Sequence, residues 1–227
     1  MSEPTASPEP VPSIEVTEHG PYKVRGARIV RTAQVETEFG EPIAWAPDQP
    51  LDHGTTVLLC RCGGSSTKPF CDDSHLTNGF DGTETADRGA YADRRYPYEG
   101  EGLTLEDDFS LCTQAGYCGD RFENVWAMIE RAADPEVRER IRGMARLCPS
   151  GRIRSRLPGA GPDEPELEHS VAAIADGALW ARGGVQVIAA DGTSYEVRNR
   201  QTLCRCGASK NTPFCDGTHK RTGFADA

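Results

Sequence analysis

Long hydrophobic runs are missing from this sequence: none approaches the roughly 20 apolar residues that a membrane-spanning helix needs. An export signal is missing too. The opening "MSEPTASPEPVPS" has no basic stretch followed by an apolar one. Its Pro and Glu content predicts a disordered tail over residues 1–13, and the expectation is a cytoplasmic protein that does not engage a membrane. Positive charge is the minority, with 25 Lys and Arg against 35 Asp and Glu and a formal net charge of −10. Such a surface repels phosphate backbones, so no nucleic-acid partner is expected. There is no phosphate-cradling Gly-Lys loop, no dinucleotide fingerprint and no nucleophile–base constellation. An enzyme with a small-substrate site of its own is therefore not expected.

Cysteine, by contrast, is plentiful, with nine in 227 residues. Nothing in the chain points to export, a reducing cytosol keeps thiols free, and an odd count leaves one without a partner. Clustered Cys accompanied by His in such a chain points to metal binding. The nine fall into three groups of three: Cys60, Cys62, Cys71; Cys112, Cys118, Cys148; and Cys204, Cys206, Cys215.

The outer two groups belong to a repeat. "CRCGGSSTKPFCDDSH" begins at Cys60 and "CRCGASKNTPFCDGTH" at Cys204; extended to Phe80 and Phe224, the copies agree at 12 of 21 positions. Cys-x-Cys sets two thiolates on one short strand, close enough to share a metal ion. The turn formers Pro69, Phe70 and Asp72 bend the chain back so that Cys71 and His75 meet the first pair. The second copy does the same with Cys204, Cys206, Cys215 and His219. Zinc accepts a Cys3His shell readily, so the spacing by itself leaves zinc open.

Upstream of each motif, "GPYKVRGARIV" and "TTVLLCRC" read as strands, and the second half echoes them, with Gly20, Arg25 and Gly26 matching Gly177, Arg182 and Gly183. Asp191-Gly192 signals a hairpin turn. The first copy is longer by 13 residues between these strands and its first Cys, over a Pro-rich interval that reads as loop, "EPIAWAPDQPLDHG". Two units unable to close a core alone should pack on each other.

Between the copies the pattern turns helical. Phe122, Val125, Trp126 and Ile129 share a helical face. Asp134 is placed to cap a second helix with Pro135 at its first position, and Val137, Ile141 and Met144 form its core stripe up to Cys148, before Pro149 ends it. The stretch "LPGAGPDEPE" reads as a linker, "LEDD" as a solvated acidic loop and the three Trp residues as core. His19, His53 and His169 have no ligand-like neighbours.

The string CRCG-S---PFCD-[ST]H resembles the signature of the CDGSH iron–sulfur proteins, the mitoNEET-like family, at every signature position in both copies. The resemblance implies two [2Fe-2S] clusters, one held by Cys60, Cys62, Cys71 and His75, the other by Cys204, Cys206, Cys215 and His219. It implies a monomer whose two halves mimic a dimer. One departure stands out: Asp73 replaces the glycine kept at Gly217. Asp tolerates left-handed backbone better than most residues, and its carboxylate beside an anionic cluster is expected to lower that cluster's potential. "LCTQAGYCGD" and "RLCPSG" resemble a divergent single-cluster ferredoxin domain over roughly residues 105–155. Cys112, Cys118 and Cys148 are enough for a [3Fe-4S] cluster but one short for an all-Cys [4Fe-4S]; free thiols in a degenerate fold, or zinc, remain alternatives.

The expected architecture is a β-rich α+β fold. Two CDGSH units, residues 14–98 and 159–227, pair about a pseudo-twofold axis, joined by a small helical ferredoxin-like insert at 99–158. The expected role is electron transfer with a protein redox partner, or iron–sulfur cluster transfer to an apo-protein acceptor. A zinc-stapled interaction module is the alternative. Histidine ligands are expected to make the clusters loosen as pH falls, since only an unprotonated nitrogen coordinates.

Overall fold

The computed structural model describes residues 11–226, so most of the expected tail lies outside the described residues. The first half runs through β1 (Ser13–Val16), β2 (Tyr22–Arg25), β3 (Arg28–Thr32), β4 (Gln34–Glu36), β5 (Pro42–Trp45), β6 (Gln49–Pro50) and β7 (Thr56–Leu59). In the middle come the single turn α1 (Tyr91–Arg94), β8 (Tyr96–Gly100), β9 (Leu103–Asp107), α2 (Val125–Met128), α3 (Pro135–Leu147), β10 (Ile153–Arg156) and β11 (Pro162–Asp163). The second half holds β12 (Ser170–Ile174), β13 (Leu179–Arg182), β14 (Gln186–Ile188), β15 (Arg200–Leu203) and the single turn α4 (His219–Thr222). The β-rich α+β class expected from the sequence is what forms, with the repeated unit at both ends.

The segment that reads as one strand, Gly20 to Val30, is two. It turns at Gly26, and its halves enter different sheets. One sheet has the order β14-β1-β2-β7, the other β15-β13-β12-β3-β6. β1, β2 and β7 are antiparallel, as are their counterparts β12, β13 and β15. The third strand of each half crosses over: β3 pairs parallel with β12, and β14 pairs parallel with β1. Each half thus covers the edge of the other's sheet, which would otherwise present unpaired backbone groups. The consequence is one shared core, in which Ile14, Val24 and Ile29 pack with Val171, Leu179 and Val187, all almost wholly buried. Neither repeat closes it alone.

The insert adds a sheet of its own, β11-β10-β9-β8, to the expected helices. Leu103, Leu105 and Ile153 from the sheet pack on Val125, Met128 and Ile141 from the helices. Asp134 caps α3 through Glu136 N at 2.8 Å with Pro135 at the first position, as its sequence predicts. Ile141 is buried and Val137 and Met144 pack against the same core.

Four expectations are corrected. Phe122 does not join the apolar face: the helix starts only at Val125, capped by Asn124, and Phe122 is 81 % exposed. Asp120 accepts hydrogen bonds from Phe122 N and Glu123 N, which holds that stretch in a turn. "LEDD" is not a solvated loop. Glu106, Asp107 and Asp108 are buried on or next to β9, opposite Arg95, Arg152 and Arg94, at 2.7, 2.6 and 2.9 Å. The Pro-rich interval of the first copy contains β5 and β6. The linker contains β11, and its Glu164 binds the buried Arg200. Among the described residues no helix is long and apolar enough to cross a membrane.

Candidate metal centres

Both Cys-x-Cys pairs stand at the end of a core strand, β7 or β15, and the local backbone is the same in each. Cys60 N donates to Pro69 O at 2.8 Å and Cys71 N to Leu58 O at 2.9 Å; Cys204 N donates to Pro213 O and Cys215 N to Thr202 O at the same two distances. This short ladder, with Leu59 opposite Phe70 and Leu203 opposite Phe214, lays the third cysteine beside the first. The Sγ atoms of Cys60 and Cys62 are 3.8 Å apart, and those of Cys204 and Cys206 are 3.7 Å apart. His75 Nδ1 lies 3.5 Å from Cys71 Sγ, and His219 Nδ1 lies 3.3 Å from Cys215 Sγ. In each copy, then, the structure joins the CxC thiols to one another and the third thiol to the imidazole. All nine cysteines are free.

Burial pushes the Cys60, Cys71 and Cys215 thiols above their ordinary range. Cys204 moves the other way, down to about 6, chiefly through its thiol–thiol hydrogen bond with Cys206. Buried thiols that resist ionisation in a neutral setting need a cation to become thiolates, and a metal supplies it. Burial also pulls the His219 imidazole down to about 4, so it keeps a free lone pair well into acid.

Apart from Asp72, the residues that carry these loops were not singled out by sequence. Arg61 and Arg205, the middle residues of the two CRC triplets, are among the most buried side chains of the protein. Arg61 donates to Thr17 O and Gly82 O; Arg205 donates to Ile174 O, Gly177 O and Asp226. Each therefore ties its Cys-x-Cys to the turn between the first two strands of its own half. Asp72 and Asp216 accept from both sides of the loop: Asp72 from Ser66 N and Ser74 N, Asp216 from Lys210 N and Thr218 N. The Ser74 and Ser66 hydrogen bonds hold the Asp72 carboxyl far below the ordinary carboxylate value. Ser65 and Ser209 both donate to a Phe carbonyl, Phe70 O and Phe214 O. Repetition was the available signal, since each of these side chains recurs in both copies. Tyr22 had none. Its hydroxyl, fully buried, lies 2.7 Å from Cys204 O and 2.9 Å from Pro213 O, so the first half braces the second half's site.

The two sites touch at their inner ends. Cys62 and Cys206 form an antiparallel bridge. Gly63 and Gly207 both have φ +77, and a Cβ on either would come within 2.6 Å of the opposite cysteine's carbonyl oxygen. Only glycine fits there. At the outer ends the copies differ. Asp73 and Gly217 share left-handed backbone, φ 67 and 80, as the sequence comparison anticipates. The Asp73 side chain makes no capping hydrogen bond to the turn that follows; its Oδ1 lies 3.9 Å from Cys71 Sγ instead. Cys71, Asp73 and His75 bring their donor atoms within 4.8 Å of one another.

Cys112, Cys118 and Cys148 line a single cavity of about 260 Å³. Cys112 and Cys118 come from the loop ahead of α2, and Cys148 from the C-terminus of α3. Arg152 enters the same cavity, donating to Cys112 Sγ at 3.0 Å and, through two nitrogens, to both Asp107 oxygens. Three thiols, a cation and space fit an anionic iron–sulfur group. Among the described residues no fourth thiol and no imidazole line this cavity. His53 and His19 serve the backbone: His53 Nε2 accepts from Ile29 N, and His19 Nδ1 accepts from Gly82 N. His169 is exposed.

These sites and their scaffold define an iron–sulfur protein. A family model described as an iron-binding zinc finger of CDGSH type matches residues 19–76 and again 176–220. A second, described as a divergent 4Fe-4S mono-cluster, matches residues 98–157 between them. No curated protein and no solved structure shows significant similarity to the chain. The chain is a CDGSH-type iron–sulfur protein with two CDGSH regions flanking a divergent ferredoxin-like mono-cluster domain.

Proposed function

We propose that the protein is a one-electron carrier. Cys60, Cys62, Cys71 and His75 hold one [2Fe-2S] cluster, and Cys204, Cys206, Cys215 and His219 hold another. Cys112, Cys118 and Cys148 hold a [3Fe-4S] cluster. The observation that carries this reading is contiguity. The two Cys3His sites meet at the Cys62–Cys206 bridge, and Gln114, from the loop that carries Cys112 and Cys118, packs against Gly217 of the second site. Bound clusters would supply one-electron redox chemistry. The chain's own part is to keep thiolates ionised, exclude water from the second site and, through Arg152, balance negative charge in the insert. The partner is a protein reductase or acceptor. Delivery of a cluster to an apo-protein is the second reading, favoured by the half-buried state of His75.

Iron and acid-labile sulfide analysis of anaerobically purified protein tests the reading. About seven irons per chain are expected, and about four if the insert stays empty. A colourless preparation holding zinc and no labile sulfide would end it. Loss of visible colour on mixing with an apo-ferredoxin would favour delivery over electron transfer.

Acid separates the two CDGSH sites. A proton on the coordinating nitrogen detaches a histidine ligand, and imidazoles titrate between about pH 5 and 8. His75 is reachable by solvent, whereas His219 is 6 % exposed. In acid the first cluster is expected to bleach well before the second, because solvent reaches His75 and not His219. His75→Cys should abolish the faster phase in stopped-flow absorbance, and His219→Cys should leave it unchanged.

A further inference from the structure

The two CDGSH sites have the same donors and the same supporting hydrogen bonds, yet they face different surroundings. Cys71 and His75 are half-buried and Asp73 is exposed. Cys215 and His219 are 2 % and 6 % exposed, and even Gly217 is buried. The motif does not account for this, because the copies agree in every ligand. At Gly217 the cover comes from the insert. Gln114, on the loop between Cys112 and Cys118, puts its Cγ, Cδ and Nε2 at 2.7, 2.9 and 3.1 Å from the point where a Cβ on Gly217 would stand. It fills the space that the Asp73 side chain takes in the first site.

Several contacts fix the loop that carries it. Asn211, in the second motif, donates to Ser110 O at 3.0 Å. From the first half, Gln34 donates to Ala115 O at 2.6 Å, Tyr117 donates back to Ala44 O at 2.8 Å, and Pro42 closes on Gly116. Gln34, Pro42 and Ala44 belong to the β4–β5 hairpin, which lies in the stretch where the first copy is longer than the second. Gln114 itself is held at φ 58, left-handed backbone that a non-glycine residue adopts only where its surroundings impose it.

We infer that Gln114 is a lid that the insert places on the second CDGSH site, so that the first site alone exchanges its cluster with the outside while the second retains its own. The inference rests on the cluster assignment proposed above. It also gives the Asp73/Gly217 difference a cause. A side chain at 217 would strike the lid, whereas position 73 faces no lid and admits one.

The test uses full-length protein loaded with clusters and challenged with an iron chelator. Samples withdrawn over time are reduced and read by EPR, which separates the two [2Fe-2S] signals from any cluster in the insert. Wild type is expected to lose [2Fe-2S] in two phases. Joint Cys60→Ser and Cys62→Ser substitution should remove the fast phase and keep the slow one. Gln114→Gly suits the left-handed backbone and should preserve the loop, yet speed the slow phase several-fold with the fast phase unchanged. Gln114→Met restores bulk and should restore the slow phase. A single phase in wild type, a slow phase indifferent to Gln114→Gly, or a fast phase that survives the Cys60/Cys62 change would each overturn the lid. Protein that carries no [2Fe-2S] signal before chelator is added would instead overturn the cluster assignment.

Discussion

Arg200→Met is expected to destabilise the protein by about 3–5 kcal/mol, the range for breaking a buried ion pair from one side. The Arg200 side chain is wholly buried. Two of its nitrogens meet Glu164 at 2.7 and 3.1 Å, and a third meets the carbonyls of Ala145 and Cys148 at 2.7 Å each and Arg146 at 3.1 Å. Those carbonyls end α3, where a cation is favoured; Ala145 O and Cys148 O also accept from Cys148 N and Gly151 N, both at 3.3 Å. Methionine leaves them and the Glu164 carboxylate without this partner. The matching position in the first copy is Thr56, exposed and far simpler, so the arginine belongs to the insert's docking. For a chain of this size the melting temperature should fall on the order of 10 °C. Cys148 should also become more reactive to a thiol reagent. Arg28→Ala, which removes an exposed pair with Glu168, should change stability by no more than about 0.5 kcal/mol. Acid should narrow the gap between wild type and Arg200→Met. Burial alone would raise the Glu164 carboxyl, but Arg200, together with Arg154 and Asn199, outweighs it and holds the group below its ordinary value. The pair's contribution is thus present above that ordinary value and is lost as pH falls through the lower folded one. Equal melting temperatures for wild type and Arg200→Met at neutral pH would refute this role.

Gly207→Ala is expected to cost about 2–5 kcal/mol, combining left-handed strain with a steric clash. The new Cβ would meet Cys62 O at 2.6 Å, and backbone at the junction of two metal sites has little room to yield. Gly63→Ala should behave alike, because its Cβ meets Cys206 O at the same distance. Gly192→Ala separates the two contributions: it shares a positive φ, +84, but nothing lies within 4 Å of its Cβ. Thermal melts of the three variants should show Gly192→Ala paying the backbone part alone. Similar losses in all three would mean that the two halves do not press together at this contact.

Local patterns were readable without coordinates. Asp134 and Pro135 begin α3 because a capping carboxylate and a missing N–H act within one turn. Asp73 and Gly217 share left-handed backbone because the constraint lies in the residue itself. What escaped was pairing across distance. Glu106, Asp107 and Asp108 look like a solvated run until Arg94, Arg95 and Arg152 arrive from elsewhere in the chain to neutralise them in a buried sheet. Phe122 fits a helical period, but Asp120 turns the backbone before the helix can begin. The β4–β5 hairpin has the composition of a loop, and its role as a clamp on the Cys112–Cys118 segment exists only in contacts such as Gln34 to Ala115 and Tyr117 to Ala44.

Taken alone, the order of residues determined the chemistry on offer: two matched sets of three thiols and an imidazole, three further thiols between them, and a β-rich scaffold written twice. Donor type and short spacing are properties of a few neighbouring residues, so they survive without a fold. The tertiary structure decided the rest. It exchanged β3 and β14 between the sheets, set Tyr22 of one half against Cys204 of the other, and laid Gln114 over one of two otherwise equal sites. Those outcomes depend on which surfaces bury each other, and burial is a property of the packed chain as a whole.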